Sequence, residues 1–194
     1  MRILIALMGL VFSTSAFAHT GHGETSGFAH GFMHPVGGFD HVLAMVAVGV
    51  LAFVIGGRAR FALPLSFMAA MLAGGALGMS GFELPLVEAG IGASIVVIAG
   101  LAAFGATLPV GLTSALVAFF GLFHGFAHGA EMPVDASGLA YAAGFFVATG
   151  LLHLTGFGAG FGAGSMFGKN GRLVARVGSG AMALAGIAVL GGAI

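Results

Sequence analysis

Residues 109–130 read PVGLTSALVAFFGLFHGFAHGA, a run that no Asp, Glu, Lys or Arg interrupts and that exceeds the ~20 residues a helix needs to cross a bilayer. Its only ionisable groups are His124 and His128, both near the C-terminal end. The whole chain follows this pattern. Of 194 residues 59% are hydrophobic and 6% charged, against about 25% charged in an ordinary soluble domain, and the mean hydropathy is +1.13. Apolar runs separated by short polar breaks place spans at roughly 35–56, 61–80, 84–105, 109–130, 137–163 and 172–193. The expected fold is an all-α membrane protein, a compact bundle of about six transmembrane helices over 35–194. Pro35, Pro64, Pro85 and Pro109 fall near span starts, where a missing N–H costs little. Small-residue rows (Gly74 and Gly78; Gly121, Gly125 and Gly129; Gly156, Gly160 and Gly164) allow helix backbones to approach closely in lipid.

Ahead of the bundle, residues 1–18 carry Arg2, an apolar stretch from Ile3 to Phe12 and the small-residue site Ala16-Phe17-Ala18, which reads as a secretory signal peptide. Cleavage there would leave residues 19–34 as a flexible periplasmic arm bearing His19, His22, His30 and His34, able to gather metal. The basic residues test this topology independently. Arg58 and Arg60 lie in the first break and Lys169, Arg172 and Arg176 in the last, all on one side, while Glu24, Glu83, Glu131 and Asp135 fall on the other. Short cytoplasmic loops hold the Lys and Arg of an inner-membrane protein, so the arm belongs outside.

The chain has no cysteine, so thiolate sites and disulfides are excluded. Equal numbers of basic and acidic residues leave no surface for nucleic acid. Eight histidines are the unusual feature. An ionisable residue inside a span marks a site or pathway, and with spans 1 and 3 running inward and span 4 outward, His34, Asp40, His41, Glu88, His124, His128 and Glu131 all fall in the outer half. His124 and His128 are i, i+4 neighbours about 5–6 Å apart, close enough to chelate one cation. His34 and His41 lie seven residues apart, roughly 10 Å on a regular helix. Either His34 precedes the helix, or Gly37-Gly38 unwinds a turn to bring it round. Imidazole and carboxylate without thiolate suit divalent nickel, cobalt, zinc or copper. A lone histidine such as His153 reads first as a packing or hydrogen-bonded residue.

The string His34-Pro-x-x-Gly-x-Asp40-His41, with Phe123-His124-Gly-Phe-Ala-His128-Gly-Ala-Glu131, resembles the HupE/UreJ family of nickel/cobalt transporters along the whole chain. The resemblance implies a permease of bacterial inner membranes that supplies nickel to metalloenzyme maturation, with a metallochaperone as an expected kind of partner. It carries His34, Asp40, His41, Glu88, His124, His128 and Glu131 over as the metal path, Glu88 through the short match Pro85-Leu-Val-Glu88. The arm and His153 belong to neither motif. The cargo it implies is Ni²⁺ or Co²⁺, it implies no catalytic cofactor, and the oligomeric state stays open.

Two other classes fit the same residues. An intramembrane zinc-dependent hydrolase would use His124, His128 and a carboxylate, with Glu131 as general base, although no H-E-x-x-H is present. A haem-binding subunit would use paired histidines and would show a Soret band. The nearest candidate for a phosphate-binding loop fails because Asn170 follows Gly168-Lys169, which argues against direct ATP use. Only neutral imidazole binds metal, and its unperturbed pKa is near 6.5. Metal binding should therefore weaken as external pH falls below about 6. A titration of affinity from pH 7.5 to 5 checks this, and a flat profile would mean that carboxylates dominate the site.

Overall fold

The computed structural model describes residues 24–106, 108–132 and 138–192, with side chains from Gly27 onward. The expected signal peptide at 1–18, and His19 and His22 of the arm, lie outside the described residues. Within them the chain is helical, with no strand: α1 Glu24–Gly37, α2 Phe39–Ile55, α3 Ala59–Met79, α4 Val87–Phe104, α5 Val110–Ala130, α6 Gly138–Phe167 and α7 Gly171–Leu190. The last two are joined by a 3₁₀ turn, Gly168–Asn170, where the chain reverses and Gly171 packs on Gly164.

Helices α2 to α7 coincide with the six apolar stretches to within a few residues at each end. Ala59–Met79, Val87–Phe104, Val110–Ala130 and the stretch Gly138–Leu190 are each long and apolar enough to cross a membrane. These make four candidate spans, or five if Gly27–Gly37 and Phe39–Ile55, bent by 82° at Gly38, are taken as one. Burial is arranged as lipid requires. Phe61, Leu65, Phe104, Leu154, Val177 and Leu184 are exposed, whereas Ser94, Thr113, His124, His128, Thr149, His153 and Ser179 are buried. A soluble protein does the opposite with its polar groups, and the pattern defines a multi-pass membrane protein.

The central helix is α2, whose residues 44, 45 and 47–52 are all buried. Around it the helices pair through their glycines. Phe67, Met71 and Gly75 of α3 meet Gly121, Gly125 and Gly129 of α5 in that order, so the two run parallel with backbones touching. In the same way α2 runs parallel to α6, where a Cβ on Gly156 would overlap the carbonyl of Val46. Against α4 the last helix runs antiparallel, with Gly92 on Leu190 and Gly186 on Ile95. Arg176 donates from Nε to the carbonyl of Ala103 at 2.8 Å and from a terminal nitrogen to that of Phe104 at 3.0 Å, which caps the C-terminus of α4.

Two expectations need correction. Residues 24–34 are not a flexible arm: they form α1, which docks on the first turns of α6 because Gly31 admits the carbonyl of Tyr141 and Gly144 admits that of Phe28. Consequently Pro35 lies inside the last turns of α1 rather than at a span start. Pro64, likewise expected at a start, lies inside α3, in its second turn.

Since a Cβ on Gly125 would overlap the carbonyl of Met71, Gly125→Ala should force α3 from α5 and destabilise the protein by about 1–3 kcal/mol or more. Gly158→Ala, where nothing lies within 4 Å, should leave the melting temperature in detergent or nanodiscs unchanged.

Candidate metal site

The bend at Gly38 decides the site. With Gly38 extended (φ −94°, ψ 116°), α1 ends and α2 starts at a steep angle, so His34 in the last turn of α1 and His41 in the first turn of α2 face one point. Both alternatives left by the sequence are met in part: the break falls at Gly38, and His34 precedes α2, although it lies in the last turn of a separate helix, α1. Both histidines converge on His128 of α5: ring centroids are 4.6 Å apart for His34–His128 and 4.3 Å for His41–His128. His124, one turn deeper, stands edge-on to His41 at 4.8 Å.

A cavity of about 310 Å³ opens over this cluster, lined by His34, Asp40, His41, Glu88, His128 and Glu131 among others. Six waters at ~30 Å³ each occupy about 180 Å³, so the cavity has room for a hydrated divalent ion. Six of the seven motif residues therefore meet in one chamber. His124 lies beneath its floor, fully buried. His30, exposed on α1, does not line it. His153 is elsewhere: Phe67 stands between it and the cluster, with ring centroids 5.3 Å from both His124 and His153.

Polarity falls steadily with depth. Side-chain exposure is 59% for Glu131, 35% for His34, 26% for Asp40 and 11% for His41, while His128 and His124 are buried. At the rim His34 Nε2 and Glu131 Oε2 are 3.1 Å apart, and donor atoms of His34, His128 and Glu131 all lie within 4.8 Å of one another. Metal–ligand bonds of about 2.0–2.2 Å bring ligand atoms to roughly 3–4 Å, a closure that side-chain adjustment supplies. Further in, Asp40 Oδ1 accepts from the backbone N–H of His41 at 2.8 Å and from its Nδ1 at 2.9 Å. A carboxylate orienting a histidine in this way leaves Nε2 as the lone-pair atom, and Nε2 of His41 is buried without a partner. Nδ1 of His124 and both ring nitrogens of His128 are equally unpartnered. Such buried orphans are rare unless a ligand completes them.

Sequence reasoning missed three residues that frame the cluster. Phe145 lies under His128 at 4.0 Å between ring centroids, Tyr141 faces His34 at 6.0 Å, and Ser94 Oγ lies 2.9 Å from His124 Nε2. Tyr141 is the only tyrosine in the chain, a signal that was available; a phenylalanine or serine inside an apolar run carries none.

Fold and site define a multi-pass helical membrane protein with an imidazole–carboxylate chamber at one end of its bundle. The chain belongs to the HupE/UreJ family, whose description as HupE / UreJ protein matches residues 5–189. It is 42% identical over 191 residues, 98% of each chain, to Protein HupE of Rhizobium leguminosarum bv. viciae. No solved structure matches it.

Because His128 touches both the rim and the deeper pair, His128→Ala should cost at least tenfold in Ni²⁺ or Co²⁺ affinity. His153→Ala, beyond Phe67, should leave that affinity within about twofold. Calorimetric titration of the purified protein checks both.

Proposed function

We propose that the protein takes up divalent nickel, or cobalt, across the bacterial inner membrane by facilitated diffusion and so supplies metalloenzyme maturation. The observation that carries this reading is the set of buried, unpartnered imidazole nitrogens on His41, His124 and His128 beneath a chamber rimmed by carboxylates. Membership of HupE/UreJ, a nickel/cobalt uptake family, supports it. Arg58, Arg60, Lys169, Arg172 and Arg176 all gather at the bundle end opposite the chamber, which supports a cytoplasmic placement of that end and a periplasmic one of the chamber. His30, exposed on α1, together with His19 and His22, which lie outside the described residues, would raise the local metal concentration at the chamber. A metallochaperone is the partner expected to receive the ion on the cytoplasmic side.

The path needs no nucleotide. A negative inside potential contributes about 2.3 kcal/mol per charge per 100 mV, hence roughly 4.6 for a divalent ion. The zinc hydrolase reading is weaker on this geometry: Glu131, its general base, is held by His34 at the exposed rim rather than beside His124.

Liposomes containing the protein and a metal-sensitive dye should admit Ni²⁺ or Co²⁺ saturably without ATP, in preference to Mn²⁺, and His41→Ala should abolish entry. Retention of one metal per chain with no entry of any ion would favour the hydrolase instead.

A further inference from the structure

Only an unprotonated ring nitrogen binds a cation, so the tautomer of each histidine decides which atom it offers. For His34 and His41 carboxylates make that choice. His124 has no carboxylate beside it. Its Nε2 lies 2.9 Å from Oγ of Ser94, and the same Oγ lies 2.6 Å from the carbonyl oxygen of Ile91, one turn earlier on α4. A serine hydroxyl has one proton. Two oxygens at 2.6 Å require a proton between them, and the carbonyl has none, so the hydroxyl proton of Ser94 is committed to Ile91. On that assignment the remaining contact is Nε2–H of His124 donating to Oγ. Nδ1 is thereby left with the lone pair, fully buried and without a partner.

We propose that Ser94 is a positioning residue of the metal path: it holds His124 as the Nε2–H tautomer and so presents Nδ1 as the donor atom. This rests on the transport reading of the chamber and extends it to a residue outside both sequence motifs. Ser94 is itself fully buried, on the helix that also carries Glu88 to the cavity wall, so α4 contributes an acid at the rim and a hydrogen-bond acceptor beneath the floor. Groups that orient a metal-binding histidine from behind are worth 10–100-fold in metal affinity.

The test uses the full chain in lipid nanodiscs, ¹⁵N-labelled at histidine, with NMR reading ring tautomers in metal-free protein and calorimetry reading Ni²⁺ affinity. In the wild type His124 should show Nε2–H. Ser94→Ala should populate the other tautomer and bind Ni²⁺ 10–100-fold more weakly, while Ser94→Thr, which keeps a hydroxyl bonded to the preceding turn, should recover most of the loss. If Ser94 acts through His124, adding Ser94→Ala to His124→Ala should weaken binding no further. An Nδ1–H signal in the wild type, or a Ser94→Ala loss that adds in full to that of His124→Ala, would overturn the proposal. Absence of Ni²⁺ binding and uptake in the wild type would sink the transport reading and with it the metal-path role of Ser94, whereas an Nδ1–H signal in a protein that does bind and admit Ni²⁺ would sink the Ser94 proposal alone.

Discussion

The approach of α3 to α5 sets the geometry of everything above it. Gly121, Gly125 and Gly129 recur every four residues and bring the α5 backbone onto the carbonyls of Phe67, Met71 and Gly75. In the sequence each of the two histidines of α5 is followed directly by one of these glycines, His124-Gly125 and His128-Gly129. At 3.6 residues per turn, neighbours lie about 100° apart around a helix. Seating the glycine row on α3 therefore turns the histidine row by a fixed angle, toward α2 and His41. Packing and ligand placement are two faces of one repeat. A methyl group on the glycine face would translate or rotate α5, and both imidazoles would move with it.

That rigidity is needed because the cluster is costly. A buried polar atom left without a partner costs about 1–3 kcal/mol, and four imidazole nitrogens of His41, His124 and His128 are in that state. Together they amount to on the order of 4–12 kcal/mol, comparable to the whole stability of an ordinary domain at about 5–15. A plain core would carry leucines at these positions. Local rules are broken where function requires it; four of the unpartnered atoms fall within two turns of α5 and the first turn of α2, and both ring nitrogens of His153 and the hydroxyl of Tyr141 on α6 add to them.

Much of this was legible in the residues. The six helices of the bundle follow from apolar length alone, and the rows of Gly74 and Gly78 and of Gly121, Gly125 and Gly129 mark backbone contact, while Gly160 and Gly164 make room for the ring of Phe53 instead. The depth of the motif residues followed from helix direction, so their gathering at one end was readable before any coordinate. The nature of α1 was not: Gly27, Gly31, Gly37 and Gly38 with four histidines nearby read as a flexible arm, and its helix exists because Gly31 and Gly144 fit it against α6. Tertiary contact outweighed weak local propensity. Ser94 was illegible for a different reason. A serine in an apolar helix ordinarily bonds the preceding turn, as Ser66, Ser165 and Ser179 do, and only the packing of α4 on α5 shows that this one also meets a histidine.

The order of ligands along the path bears on how a cation can both enter and leave. Carboxylates sit at the rim, Glu131 and Glu88 exposed and Asp40 partly so, and the buried positions hold imidazoles. A buried carboxylate pair would bind a divalent ion strongly in the low dielectric and hold it, whereas conduction needs sites weak enough to release. On the proposed reading, acids at the mouth would attract the hydrated ion where water still screens them, and imidazoles below would replace its waters without adding opposite charge. His128, in ring contact with both His34 and His41, belongs to the rim set and to the deeper set at once. On the same reading, an ion passing from one to the other would keep one ligand while it exchanged the rest, and its inward movement would need only the concentration gradient and the membrane potential. Among the described residues, the carboxylates such an ion would meet, Asp40, Glu88 and Glu131, all line the chamber.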